Sequence, residues 1–539
     1  MEDLEEGYTV ILTSDRATMT DYSGVDFIGF ILCLPYRLLP KPLIYKFIAP
    51  PIKTDRRGKA LIAPYPLRKL EAALISEGFS REEVAIIPPE RLHEFVRADT
   101  KVIGIHVLDP LGKAPVPYTL RSYFGGGDSC TKLLFLRLID KLRKLKERFR
   151  FKLIAGGPGS WQLKEEYRRY GIDCLVHGEG ELLFPELCRK VIEGEDIGGE
   201  YDGGSAPVDR IPNILGPSRS SLVQITRGCP RRCAFCNPTM FDFRSIPLEN
   251  IFREIEVNKR AGFSHIGLVT EDGFAYGAKG IEVNKQAVST LIRSIKDMEV
   301  TAGFCHVSIS SILQAPDIVK EYSESFGYDR DNPYLPQIGV ETGSPRLIAR
   351  YMAGKSRPWT PKDWPWMVLE ATQIANDNAW YPCYTLIVGL PGEEEEDIIK
   401  TLELIDELRD SKCWIFPLLF IPMGRSIMER ESWRIMWEIF KEAHWELLTR
   451  CLEHNLKFSQ EIIDKMMSKI PNPIARKVFE RFFKYSISSL WDLLPSFKKN
   501  PMKLIKDASR LDVYSEADFL KELIHFAVLR MKEKIIIHR

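Results

Sequence analysis

The chain has 539 residues, 45% hydrophobic and 28% charged, which excludes a disordered or fibrous protein and allows two to four domains, each with its own core. Seventy-five basic against 74 acidic residues leave a net charge of +1, so there is no electrostatic footprint for nucleic acid, and no nucleic-acid partner is expected. Eleven cysteines, of which Cys33, Cys130, Cys174, Cys188, Cys305, Cys383, Cys413 and Cys451 are isolated, read as free thiols in a reducing compartment rather than a disulfide framework.

Met1 is followed by the acidic run Glu2-Asp-Leu-Glu-Glu6 instead of a basic leader, so export is not expected and the cytoplasm is. Residues 27–49 are apolar, but Arg37, Lys41, Lys46 and three prolines interrupt them before ~20 apolar residues accumulate, which rules out an ordinary transmembrane helix. Apolar runs broken by basic and aromatic residues suit an interfacial segment, and Phe482 to Tyr485 and Lys498 to Lys506 repeat that flavour. Packing between domains is the stronger reading of each run alone, with peripheral contact at the inner face of the membrane as the alternative; together the runs point to a greasy substrate.

Short apolar strands follow at 101–108, 151–158 and 172–178, alternating with helical stretches at 131–148 and 181–192. This is a doubly wound, Rossmann-like module, assigned to residues 61–205 behind an apolar arm at 1–60. Residues 194–217, rich in Gly, Asp, Ser and Pro, read as the linker to a second unit.

The second unit opens on Ser221-Leu-Val-Gln-Ile-Thr226, an apolar strand, and Thr226-Arg-Gly-Cys229-Pro-Arg-Arg-Cys233-Ala-Phe-Cys236, followed by helical spacing over 248–260. Spacing C-x3-C-x2-C supplies three thiolates to a four-iron cluster and leaves one iron without a protein ligand. The alternative is a chance triplet, or a zinc knuckle completed by His265 or His306. Downstream come Ile266 to Gly273, an apolar run ending in Glu271 and Asp272, and His306-Val-Ser-Ile-Ser310, whose alternation predicts a strand with His306, Ser308 and Ser310 on one face. Ile338-Gly-Val-Glu-Thr-Gly-Ser344 and Thr385-Leu-Ile-Val-Gly-Leu-Pro-Gly-Glu393 are glycine-bearing strand exits, and Phe416 to Arg425 reads as a last strand and turn. Six βα units fit between 216 and 430, and helical periodicity over 433–441 and 474–484 predicts a helical domain over 431–539.

These motifs, in this order, resemble the radical S-adenosylmethionine (SAM) superfamily, specifically members with an N-terminal cobalamin-binding-type domain, and the likeness spans residues 60–430. The fold class it implies is α/β: a Rossmann-like domain, a partial (β/α)6 radical SAM barrel and a helical C-terminal domain. It implies Cys229, Cys233 and Cys236 as the ligands of a 4Fe-4S cluster whose open iron is chelated by SAM, and a 5′-deoxyadenosyl radical that abstracts hydrogen from an unreactive C–H bond. Phe235 stands where the family packs an aromatic near the adenine, Glu271 and Asp272 where it holds the SAM amino group, and Ser308 and Ser310 where it contacts the ribose or carboxylate. Glu341 and Ser344 belong to the strand-five signature, and Gly389 and Leu390 to the strand-six platform for adenine. Reduced ferredoxin or flavodoxin is the electron donor the resemblance implies.

Cobalamin-binding members carry Asp-x-His-x-x-Gly, whereas this chain reads His106-Val-Leu-Asp-Pro-Leu-Gly112, without the ligand histidine at the required spacing. Cobalamin is therefore not expected, and a cobalamin-dependent radical methyltransferase is the alternative enzyme. The apolar arm ahead of such a domain is similar to archaeal membrane-lipid-modifying members, especially glycerol dibiphytanyl glycerol tetraether ring synthases. That resemblance implies a lipid or other apolar substrate, cyclopentane formation on a saturated isoprenoid chain, and a cavity lined by Phe416, Leu418, Phe420 and Phe27 to Phe30. A reading of another class is a non-catalytic iron-sulfur electron carrier or sensor.

Overall fold

The computed structural model of the protein describes residues 7–24, 26–432, 439–470 and 472–508. Val10-Ile-Leu-Thr-Ser14 is a continuous apolar run and forms β1, buried on both faces as a strand inside a parallel sheet must be. It pairs in parallel with β2 (Val84–Ile86) and β3 (Val102–His106); β4 (Lys152–Gly156), β5 (Cys174–His177) and β6 (Gly199–Asp202) complete a six-stranded parallel sheet in the order 2-1-3-4-5-6. The helix Cys130–Lys146 shows how sequence drives this layer. Its buried Leu134, Leu138, Leu142 and Leu145 recur at three and four residues, Ser129 caps its first turn, and Arg143, Lys144 and Lys146 face its C-terminal dipole.

Two expected boundaries move. The sheet's second position is β1, so Val10–Ser14 belongs to the Rossmann-like unit and not to a separate arm; β6 falls inside the stretch assigned to the linker and closes the sheet edge. Gly, Asp and Ser at 194–205 hid a four-residue edge strand because an edge needs little apolar surface.

β7 (Leu222–Gln224), β10 (His265–Val269) and β11 (Thr301–Phe304) pair in parallel, as do β12 (Gln337–Glu341), β13 (Cys383–Val388) and β14 (Trp414–Leu419). A parallel bridge from His306 to Gln337 joins the two triplets. β8 (Thr226–Arg227) and β9 (Arg244–Ser245) form a small antiparallel clip around the cysteine loop. Helices Leu248–Arg260, Lys285–Asp297, Pro316–Phe326, Trp364–Asp377 and Glu395–Glu407 return the chain between strands, giving the partial (β/α)6 barrel. The first of these spans the residues that periodicity predicted.

Long helices Glu442–Ser468 and Pro473–Lys499 and the shorter Pro501–Ala508 follow. Pro473 opens its helix at the first position, where proline's missing N–H costs nothing, while the predicted helix over 433–441 lies mostly outside the described residues. No helix among the described residues is long and apolar enough to cross a membrane. The segment 27–49 forms irregular helical turns whose Ile28, Ile31, Leu32, Leu43, Ile44 and Ile48 pack with Trp414, Ile462 and Phe479, so it straps the sheet to the barrel's last strand and the C-terminal helices. Phe27 stacks on Trp414 at 5.2 Å.

Two buried histidines give this fold a pH dependence. Burial lowers His106 and His454 from 6.5 to about 4, so between about pH 4 and 6.5 the unfolded chain binds more protons than the folded one. Stability should therefore fall as pH drops through that window, by at most ~3 kcal/mol per histidine. Urea unfolding at pH 4.5, 5.5 and 7 should show the slope, and a His106→Asn/His454→Asn double variant should reduce it, His265, also lowered to about 4, carrying the remainder; an unchanged slope refutes the assignment.

Candidate active site

The cysteine loop follows β8 and is fixed from several sides. Gly228 has φ +71°, and a Cβ there would lie 2.6 Å from the carbonyl oxygens of Phe241 and Asp242, so only glycine lets the loop turn under that clip. Arg227 donates to Glu179 at 2.8 Å and pairs with Glu181, while Arg244 pairs with Glu179 as well. The loop Val176 to Glu181 of the Rossmann-like domain thus holds the base of the cysteine loop. Ala234 N–H donates to Tyr351 C=O at 2.8 Å, and Asn237 Nδ2 to Gly424 C=O at 2.8 Å.

Cys229, Cys233 and Cys236 line one cavity of about 180 Å3, with Phe235 and Glu271 on its wall. Burial raises the Cys229 thiol to about 12 and Cys233 to about 11, and pushes Cys236 up further with its neighbours' charge. Three thiols that resist ionisation in protein alone, gathered on one cavity, suit a polynuclear cation that stabilises thiolates. At C-x3-C-x2-C spacing on one cavity wall, the three residues fit an iron-sulfur cluster.

The two acids after β10 separate. Asp272 is buried and accepts from Arg231 Nη2 at 3.1 Å, Ser308 Oγ at 2.7 Å and Ser311 Oγ at 2.6 Å, so its charge is consumed in clamping the cysteine loop to two strand exits. Glu271 is exposed at the cavity with no hydrogen bond or ion pair among the described residues, which leaves its carboxylate open to a ligand's amino group.

The strand expected over His306 to Ser310 ends earlier, at Phe304. Ser308 caps the helix Ile309–Gln314 through Ser311 N–H, and Ser310 is buried in that helix's first turn, since a serine hydroxyl competes for an orphan N–H better than it extends a strand. Ser308 remains on the cavity wall; Ser310 does not line it. Ser344 likewise caps the helix Pro345–Tyr351 and donates to buried Asp397 at 2.5 Å, away from the cysteines.

Glu341 does face the cavity. It has φ +68° at a bulge in β12, a strained conformation for a residue with a side chain, and accepts from Lys355 Nζ at 2.6 Å and Thr385 Oγ1 at 3.3 Å. Burial alone would lower the Lys355 ammonium, but Glu341 and Cys233 offset it and its pKa is raised. This ion pair lies over Gly339, where a Cβ would sit 2.4 Å from Lys355 Nζ. Arg231, Ser311 and Lys355 were missed in the sequence: nothing in their spacing marks them, and only folding brings them together.

Gly389 and Leu390 line a separate cavity of about 340 Å3 between the β13 exit and the C-terminal helix, with Phe420 and His444 also on its wall. There Glu393 accepts from Gly389 N–H at 2.8 Å and from His444 Nε2 at 3.2 Å. Lys441 N–H donates to His444 Nδ1 at 3.0 Å, which fixes the neutral ring as the Nε2–H tautomer.

The barrel strands carry one further pattern. Residues on one face of β10 to β13 are buried against helices, whereas the alternate residues are not, and Gln337, Gly339 and Thr385 on that second face line the cysteine cavity. It is therefore the lumen. By register, Gly267, Gly303, Ile387, Phe416 and Leu418 face it too, so below the cysteines the lumen is lined by apolar and small residues.

At the carboxyl edge of the Rossmann-like sheet, the crevice between β1 and β3 is where such folds take ligands. Here it is covered: Arg16, following β1, donates to Tyr45 C=O at 3.0 Å and Ala49 C=O at 2.7 Å, and Cys130 N–H donates to Leu34 C=O at 3.2 Å. Asp109, following β3, accepts from Gln162 Nε2 at 2.8 Å and Thr131 Oγ1 at 3.0 Å, and His106 is buried below it. Around this crevice Asp109 is thus engaged by Gln162 and Thr131, and the segment 34–49 lies across the strand ends.

Residues 223–405 match the radical SAM superfamily. The ribosomal protein uS12 methylthiotransferase RimO of Thermosipho africanus is 27% identical over 57% of this chain and 71% of its own length, and the tRNA-2-methylthio-N(6)-dimethylallyladenosine synthase of Orientia tsutsugamushi is 22% identical over 58% and 69%. The second RimO matched, from Thermosipho melanesiensis, is covered over 58% of its length, less than two thirds. Among solved structures, the radical SAM methyltransferase TsrM of Kitasatospora setae, bound to cobalamin and a 4Fe-4S cluster, aligns with a TM-score of 0.53 at 15% identity, over 78% of this chain and 74% of its own, a likeness of fold. The α/β architecture, the cysteine site and the matched domain converge: the chain is an enzyme whose residues 223–405 match the radical SAM superfamily and carry the C-x3-C-x2-C spacing of a 4Fe-4S site.

Proposed function

We propose that this enzyme forms a C–C bond in a saturated isoprenoid chain of a membrane lipid, closing a cyclopentane ring. The observation that carries the reading is the lumen: its apolar face begins at the cysteine cavity and continues along the strands past Ile387, Leu418 and Phe416 to the Phe27–Trp414 stack. An apolar chain has no polar handle, and such a surface is how a protein holds one. The bound cluster and SAM supply a one-electron route to hydrogen-atom abstraction that saturated carbon, inert to nucleophiles and bases, requires. The chain's own residues do the rest. Cys229, Cys233 and Cys236 hold the cluster, Glu271 holds the SAM amino group, and Asp272 with Arg231 keeps the loop rigid. The Glu341–Lys355 pair forms the polar rim between SAM and the apolar lumen.

Joining two carbons removes two hydrogen atoms. The balance closes with two SAM and two electrons from a reduced ferredoxin or flavodoxin, giving two 5′-deoxyadenosine and two methionine per ring. A cobalamin-dependent methyl transfer is the second reading, carried by the likeness to TsrM, and the covered β1/β3 crevice weighs against it. The test is anaerobic reconstitution with iron and sulfide, then SAM, dithionite and a tetraether lipid extract. Lipid-dependent 5′-deoxyadenosine with a lipid mass loss of two hydrogens per ring is expected. Cleavage of SAM that ignores the lipid sinks the substrate assignment, and a methylated product with retained cobalamin supports the second reading.

A further inference from the structure

Two apolar runs broken by basic residues, 27–49 and 482–485, are far apart in the chain and meet in the fold. The ring of Phe483, on the helix Pro473–Lys499, stands 6.1 Å from that of Phe27, which stacks on Trp414 at the start of β14; Trp414 in turn meets Phe416 edge-on at 6.2 Å. Ala475, Phe479 and Leu494 of the same helix are buried and Phe482 packs beside them, so one face of the helix is taken up by the protein. Its other face is not. Ile474, Lys477, Arg481, Lys484, Tyr485 and Trp491 follow the helical repeat onto the opposite side, and all six are exposed. Ile474 is 51% exposed, Tyr485 62% and Trp491 46%, so bulk that a packed helix would bury is turned outward. Lys477 and Lys484 make no ion pair or hydrogen bond among the described residues. Residues 472–508 carry eight basic side chains against three acidic ones in a chain whose net charge is +1, which gathers positive charge along this helix and its extension.

We propose that this face of the helix Pro473–Lys499 docks the enzyme on an anionic lipid bilayer, with Lys477, Arg481 and Lys484 on the headgroups and Ile474, Tyr485 and Trp491 in the interfacial layer. Charge complementarity selects the occupant: a basic side chain beside an anionic membrane surface contributes about fivefold in affinity. Tyrosine and tryptophan carry an apolar body and a polar tip, which suits the zone between headgroups and acyl chains, and lysine stems lie along the apolar layer while their ammonium groups stay at the phosphates. A nucleic acid would take the basic side chains but leave Ile474 in water, whereas a bilayer uses both. The helix has 27 residues and so runs ~40 Å, long enough to lie in the membrane plane. Phe483, on its protein side, touches the Phe27–Trp414 stack, so docking brings that stack to about one helix diameter, ~10 Å, from the bilayer surface. The inference goes beyond the ring-forming reading and does not rest on it.

The test is sedimentation of the cluster-loaded full chain with vesicles of phosphatidylcholine, alone or with about one third phosphatidylglycerol, at ~0.05 M and ~0.5 M salt. Binding to the anionic vesicles at low salt should be at least ~25-fold tighter than to the neutral ones, and most of that preference should vanish at high salt, where screening shortens the reach of each charge. Lys477→Gln/Lys484→Gln should weaken anionic binding by ~25-fold, two fivefold steps, and Trp491→Ala by several-fold, with thermal melts unchanged because all three positions are exposed. Lys144→Gln/Lys164→Gln, at exposed positions on the Rossmann-like domain, should bind as wild type does. Equal binding to the two kinds of vesicle, or a Lys477→Gln/Lys484→Gln protein that binds as wild type, overturns the proposal. So does an equal loss in the Lys144→Gln/Lys164→Gln protein, which would make the attraction a matter of net charge, and so does an RNA hairpin held more tightly than the vesicles through the same lysines. If docking through these lysines holds but tetraether lipid is not converted, the ring-forming assignment fails and the docking face stands; if detergent-dispersed lipid is converted by a protein that ignores anionic vesicles, the docking face fails and the ring-forming assignment stands.

Discussion

Replacing Cys233 with serine is expected to give a folded protein that takes up little iron and forms 5′-deoxyadenosine at a rate lower by ~10^3-fold or more, since residues acting as one unit lose nearly everything when one is removed. Cys233 is the most buried of the three, 4% exposed, and sits between Cys229 and Cys236 in the loop. Its thiol resists ionisation through burial, and only a cation on the cavity reverses that. A serine hydroxyl, harder to ionise and a poor partner for iron, cannot follow. The same variant separates classes: a sensor with a structural metal would lose stability along with iron, whereas a catalytic cluster held by a preformed loop should be lost with Tm almost unchanged. Iron content, visible absorbance and a thermal melt on one preparation decide it, and a Cys233→Ser protein that still cleaves SAM would refute the assignment.

Asp272→Ala should produce the largest stability loss of any single change at this site. Arg231 is buried, and its Nη2 meets Asp272, Ser308 and Ser311 within 3.1 Å. Removing the carboxylate leaves a guanidinium in low dielectric with only neutral partners, which costs about 3–5 kcal/mol. For a unit of this size that is a fall in Tm of ~10 °C. Glu271→Ala, one residue away, should leave stability within ~0.5 kcal/mol of wild type, because Glu271 is exposed and unpaired, and should instead weaken SAM binding. Equal melting temperatures for the two variants would overturn the division of roles.

That division illustrates what was legible. The pair Glu271-Asp272 stood out in sequence as two acids at a strand exit, but which one serves a ligand depends on Arg231, 41 residues upstream, and on serines beyond the next strand. Ser308 and Ser344 looked like site residues from their place in motifs. A serine just before an apolar helical run is also a helix cap, and both serines cap helices, Ser308 while still lining the cysteine cavity. Residues 27–49 read correctly as too interrupted to span a membrane. Their actual use, strapping the β1/β3 crevice to Trp414, needed three parts of the chain to meet.

The sequence by itself determined the cysteine site, the order of barrel strands and the Leu248–Arg260 helix. Spacing of ligands and periodicity of apolar residues are local properties, fixed by metal coordination and by backbone geometry. Tertiary structure alone decided that β1 belongs in the first sheet, that Lys355 pairs with Glu341 over Gly339, and that Asp272 rather than Glu271 holds Arg231. Each of those depends on burial and charge contributed by residues far apart in the chain, which no spacing records.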